Sequence, residues 1–175
     1  RPVKSETMAE NDLHAEWIEV TSDNIQKLTA AADKNIVAVG TTSLRTLESL
    51  YWIGNKIVNK EIPDFSGIAV AQWDPYQVQK TCTTKEALTA LGAYMTENKL
   101  SKLITRTQIL IAPGYTFRVV KGLVTNFHQP QSTLLLLVAA FIGDDWRAVY
   151  EYALNHDYRF LSYGDGCLLW RTHQG

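Results

Sequence analysis

Short apolar runs of β-forming residues alternate with amphipathic runs along this chain, and that alternation limits the fold more than any other feature. "IVAVG" (36–40) is a β run stopped by Gly, and "TSLRTLESLYWIG" (42–54) follows it with Leu44, Leu47, Leu50 and Tyr51 at helical spacing. The same succession recurs to the end of the chain. Strands separated by helices predict an α/β class: a mixed, partly parallel sheet flanked by helices.

The remaining elements are read the same way. "HAEWIEV" (14–20) alternates as a strand, and 21–35 is a helix with Ser22 as N-cap and apolar residues at 25, 28 and 32. Gly54 lies beyond the end of the 42–54 helix, residues 55–67 form a loop, and 68–74 is a strand ending in an Asp74-Pro75 turn. Residues 84–99 make a second clear helix. A strand at 103–112 stops at Pro113-Gly114 and pairs with 115–125 as a hairpin. The apolar segment 132–142 is a core helix capped by Ser132 or Thr133. Asp144 caps a helix at 145–157, and 158–164 and 166–171 are short strands around a turn at Asp165.

At 175 residues the chain amounts to a single α/β domain, 1–175. Its formal net charge of -1 provides no global basic field for nucleic acid. Cys82 and Cys167 lie far apart and form no metal or disulfide framework, which fits a reducing, cytoplasmic setting. No apolar run reaches membrane-spanning length, and the opening segment has no signal-peptide core. It begins in mid-phrase at Arg1-Pro2-Val3, as a fragment of a longer protein would.

Four polar islands punctuate the apolar pattern. "GTTSLR" sets a strand end and a helix start together, a geometry that binds anions through free N–H groups. Arg45 there either clamps a carboxylate or pairs with Glu48 on the surface while Thr42 or Ser43 caps the helix. "TNFHQP" holds His128 between an apolar strand and an apolar helix, as a proton-transfer group or as a structural histidine. "SYGDG" holds Asp165 between two glycines, as a site carboxylate or an ordinary turn residue. "LHAE" puts His14 and Glu16 on one strand face. Two such groups are too few for a metal, and His156 and His173 show no ligand spacing, so no metal is expected. Islands at strand ends converge in α/β folds, because ligands bind at the carboxyl ends of the strands.

In order and spacing, "HAE", "VAVGTTSLRTLES", "PGYTFRVVKGLVTNFHQPQSTLLLLVAAF" and "YRFLSYGDGCLL" resemble the S-adenosylmethionine:tRNA ribosyltransferase-isomerase family of queuosine biosynthesis. The resemblance runs from about residue 2 to residue 170 and covers the C-terminal half of the family. It implies a fragment of a larger two-domain enzyme, with the family's N-terminal segment and inserted β-barrel domain absent. It also implies a reaction. S-adenosylmethionine, a co-substrate, gives its ribosyl unit to the prequeuosine base of tRNA. Adenine and methionine leave, and the ribose is rearranged to yield epoxyqueuosine. Such chemistry needs a base, an acid, a carboxylate binder and a base pocket, and no metal.

Carried onto this chain, the resemblance implies His128, Asp165 and Glu16 as catalytic residues, with His128 moving the proton. His14, Thr41, Thr42, Ser43, Arg45, Asn126, Phe127, Tyr163 and Gly164 are implied to bind substrate. The expected partner is tRNA, through the full-length protein, with no membrane. The chain departs from the family pattern at Asn11 (usually His), Arg106 (Gly), Lys121 (Asp) and Gln129 (Leu). These departures keep a second reading open: a non-catalytic nucleoside- or S-adenosylmethionine-binding module from a diverged paralogue.

Overall fold

The structure, a computed structural model, describes residues 13–171. Asn11 and His173 lie outside the described residues. The elements run β1 (Glu16–Thr21), α1 (Ser22–Ala30), β2 (Val37–Val39), α2 (Thr41–Val58), β3 (Ile68–Val70), α3 (Asp74–Gln77), α4 (Thr84–Glu97), β4 (Lys102–Thr107), β5 (Gly122–Asn126), α5 (Thr133–Ile142), α6 (Asp145–Asn155) and β6 (Gly166–Trp170). The α/β class expected from the alternation holds. The strands form two three-stranded mixed sheets rather than one, in the orders β1-β4-β3 and β2-β5-β6. In the first, β1 is antiparallel and β3 parallel to β4. In the second, β2 is parallel and β6 antiparallel to β5. Among the described residues no helix is long and apolar enough to cross a membrane.

Each sheet buries one face. Ile18, Val20 and Leu103 point inward from the first sheet, and Ala38, Leu123 and Leu169 from the second, as period-2 alternation requires. The opposite face of the second sheet stays open and apolar. There Val37, Val39, Leu168 and Trp170 are exposed, and the Trp170 ring lies across Gly122, where a Cβ would stand 2.9 Å from it.

Helix α2 is the central element. Leu44, Glu48 and the whole run from Ser49 to Asn55 are buried, so it is enclosed on nearly every side. Gly54 does not end it, because the helix continues to Val58. Gly54 sits where α2 crosses α4, and a Cβ there would come 2.1 Å from the carbonyl oxygen of Ala87. The glycine serves close helix packing, not termination. α4 begins with a reciprocal capping box. Thr83 Oγ1 accepts from the Glu86 N–H at 3.2 Å, and Glu86 Oε2 accepts from the Thr83 N–H at 2.7 Å.

Other local expectations are corrected by local bonding. Thr21, not Ser22, caps α1, accepting from the Asn24 N–H at 3.2 Å. Asp74-Pro75 opens the short helix α3, with Pro at its start, where a missing N–H costs nothing. Asp144 makes no cap bond; its carboxylate pairs with Arg147 at 2.9 Å instead. Ser132 does cap α5, accepting from the Leu135 N–H at 3.1 Å.

The expected 103–112/115–125 hairpin does not form, because β4 and β5 belong to different sheets. The chain from Gln108 to Lys121 crosses between the sheets, and its buried donors need partners. The first half of the segment bonds to Val70, Gln72 and Tyr76, and Glu48 serves the second half. Its Oε1 accepts from the N–H groups of Val119 and Val120, and its Oε2 from Arg118 N–H and Tyr115 O–H, all at 2.8–2.9 Å. Burial pushes the Glu48 carboxyl up from its ordinary range, while the three backbone bonds oppose the rise. The expected strand at 158–164 is likewise a looped turn. The Leu161 N–H donates to Phe127 O at 2.9 Å, and the Gly164 N–H to Leu161 O at 2.9 Å.

Candidate active site

A cleft of about 480 Å³ opens at the carboxyl ends of the parallel strands β2 and β5. Its floor is Gly40 and the first turn of α2, Thr41, Thr42 and Ser43; its wall is Thr125, Asn126 and His128, with Leu161, Ser162 and Gly166 along the rim. Two islands 80 residues and more apart in sequence thus meet around one space. The parallel pairing explains why: Val37, Ala38 and Val39 register with Gly122, Leu123 and Val124, so both strands end side by side.

The floor is electropositive. Gly40 occupies the cap position of α2 at φ 91, which a side chain tolerates poorly, and no side chain caps the helix. Thr42 and Ser43 stand inside the first turn, exposed, and do not cap it. The first N–H groups and the helix dipole therefore favour a negative or strongly polar ligand group at this end.

His128 forms the opposite wall. It is nearly buried, and burial pushes its imidazole below the usual histidine range. Its Nε2 lies 3.0 Å from Thr125 Oγ1, and its backbone N–H donates to Tyr150 O–H at 3.0 Å. The buried side-chain N and O atoms lacking a partner are, among the described residues, Arg106 Nε and Arg118 Nε. His128 lines the cleft, and no hydrogen bond is described for its Nδ1. Asn126 Nδ2 donates weakly to Asp165 O at 3.4 Å. Phe127 packs away from the cleft in an aromatic cluster, its ring centroid 5.3–5.6 Å from those of Tyr150, Tyr158 and Phe160.

The other expected site residues stand elsewhere. Arg45 Nη1 pairs with Glu16 at 2.6 Å, while its Nε and Nη2 donate to Ile109 O at 3.3 and 3.1 Å. Each of its three nitrogens thus helps tie β1 and the crossing segment to α2, and it makes no surface pair with the buried Glu48. His14 is exposed just ahead of β1. Asp165 turns toward Arg159, accepting from its backbone N–H at 2.8 Å and its Nη2 at 3.1 Å; these bonds hold the carboxyl below its ordinary range. Gly164 fits under the Arg159 carbonyl, where a Cβ would come within 2.2 Å, and Tyr163 is 96% exposed.

The roles of several residues that build this region were not read from the sequence. Tyr150, Thr125 and Arg159 hold the expected residues in place, and Glu48 holds the crossing segment. Glu48 alone left a signal, since helical spacing from Leu44 and Tyr51 put a carboxylate on the apolar face of α2.

Strand ends, an uncapped helix and a histidine loop meet around one cleft of an α/β fold, at the strand carboxyl ends where folds of this class bind ligands. The family described as queuosine biosynthesis protein matches residues 1–169, and the chain belongs to that family. The S-adenosylmethionine:tRNA ribosyltransferase-isomerase of Phenylobacterium zucineum is 40% identical over 98% of the chain, and that of Herminiimonas arsenicoxydans 36% identical over 98%. The chain spans 37% and 38% of those relatives, little more than a third of their length. The crystal structure of an S-adenosylmethionine tRNA ribosyltransferase from Thermotoga maritima matches 87% of this chain and 39% of its own, at 30% identity and a TM-score of 0.56.

Proposed function

We propose that this chain forms part of an enzyme that transfers the ribosyl unit of S-adenosylmethionine to the prequeuosine base of tRNA and rearranges it to epoxyqueuosine. The observation that carries the reading is the convergence of the 41–43 turn and the 125–128 loop on one cleft. In this reading the first turn of α2 receives a carboxylate or a polar ribose edge of the donor. The sulfonium of S-adenosylmethionine acidifies the neighbouring carbon, and His128 Nδ1 takes up that proton. Asn126 offers an amide to a base edge. Thr41, Thr42 and Ser43 add hydroxyls to the same wall. The cytoplasm, where tRNA is modified, is the proposed location.

One observation favours the second reading, a binding module without turnover. Glu16 and Asp165 are each held by an arginine, so of the three expected catalytic groups only His128 lines the cleft. A chimera distinguishes the two. Residues 13–171 would replace the matching stretch of the Phenylobacterium zucineum relative, and adenine release would be followed with S-adenosylmethionine and prequeuosine-bearing tRNA. Release above the no-tRNA control supports the enzyme. Calorimetric binding of S-adenosylmethionine without release supports the module.

A further inference from the structure

His128 is held at two atoms by residues outside the expected site. Tyr150, on α6, takes the backbone N–H, and Thr125, at the end of β5, meets Nε2 at 3.0 Å. The first bond fixes the main chain; the second bears on the ring. A neutral imidazole carries one proton, and the bond made by one nitrogen decides what the other can do. With the proton on Nε2, donated to Thr125 Oγ1, Nδ1 presents a lone pair to the cleft and can act as a base. With the proton on Nδ1, that nitrogen can only donate a hydrogen bond, because losing the proton would leave an imidazolate.

We propose that Thr125 is a positioning residue for His128: its hydroxyl holds the proton on Nε2 and so leaves Nδ1 as the basic nitrogen in the cleft. The inference rests on the reading of His128 as the proton-transfer group. The step balances simply. Nδ1 takes a proton from the donor carbon, the carbon keeps the electron pair, and the imidazolium gives the proton up later, its Nε2–H remaining on Thr125 throughout. Among the described residues this hydroxyl is the one group bonded to the His128 ring, and as either acceptor or donor it sets the tautomer. The Thr125 carbonyl faces β6, where Cys167 Sγ approaches it at 3.5 Å, and the only other bond described for His128 is the one from its main-chain N–H.

Thr125→Val is the test, because valine keeps the shape, suits a strand and removes the hydroxyl. In the variant an Nε2–H would be buried against a methyl group with no acceptor, so the proton moves to Nδ1. Ring ¹⁵N spectra of this 175-residue chain, with the His128 signals assigned from their loss in His128→Gln, read the tautomer directly. Wild type and Thr125→Ser should carry the proton on Nε2, and Thr125→Val on Nδ1. An unchanged tautomer in Thr125→Val overturns the proposal. In the chimera, Thr125→Val should lower kcat about 10- to 100-fold with KM nearly constant, less than the roughly 10²–10⁴ that a general acid–base group contributes. Thr125→Ser should restore it. A lowered melting temperature with kcat per folded molecule intact would make Thr125 merely structural. If His128→Ala abolishes turnover while Thr125→Val retains it, only the positioning role fails. If His128→Ala retains full turnover, the reading of His128 fails and this inference with it.

Discussion

Burial holds the His128 imidazole below its ordinary pKa of 6.5, so the folded protein resists protonating it. An unfolded chain has no such restraint and takes up the proton as pH falls through about 6.5. Between the ordinary and the lowered value the unfolded state therefore binds more protons. His128 contributes its full stability above pH 6.5 and loses it as pH falls toward the folded pKa. Denaturant titrations at neutral and mildly acidic pH should show the loss in wild type, and His128→Gln should show less of it. Equal pH dependence in the two proteins would mean that His128 is solvated in the native state. The same residue illustrates what a linear sequence reveals. A histidine between an apolar strand and an apolar helix is visible, but its hold on Thr125 and Tyr150 is a matter of tertiary distance.

Helix α2 carries the strongest element-scale prediction. Gly54→Ala would place a methyl 2.1 Å from Ala87 O, and backbone on both sides limits relief. Overpacking of this kind costs typically about 1–3 kcal/mol. A lower midpoint in thermal or chemical unfolding, with helical content retained, is expected; an unchanged midpoint would mean that α2 and α4 separate freely. Helices were legible because a 3.6-residue period and a capping Ser are local signals, as along 84–99 and at Ser132. The same local logic misread Gly54, since a glycine after a periodic run looks like a stop whether it ends a helix or admits a neighbour. It also misread 103–125 as a hairpin. Two alternating runs around Pro113-Gly114 satisfy the hairpin pattern, and nothing local reports that the donors go to a glutamate some 70 residues earlier.

At the scale of the molecule, the cleft was legible in part. The 41–43 and 126–128 islands both follow apolar strands, and strand ends gather ligands in α/β folds. The arginines that claim Glu16 and Asp165 were not legible, because either carboxylate could have chosen another partner. Charge is a whole-molecule property too. With a formal net charge of -1, this chain has no excess of cations to displace counterions from a tRNA backbone. Filter binding of tRNA by the 175-residue chain should be weak; tight, strongly salt-dependent retention would reveal a local basic surface that the net charge conceals.

The glutamate clasp on the crossing segment has one more consequence, which deuterium would report. The amides of Arg118, Val119 and Val120 lie in no strand, yet each donates to a buried carboxylate. Their protons can reach solvent only when that carboxylate lets go or the fold opens around it. In heavy water these three should keep their protons about as long as amides in the middle of a sheet. Replacing Glu48 with Gln should release all three at once.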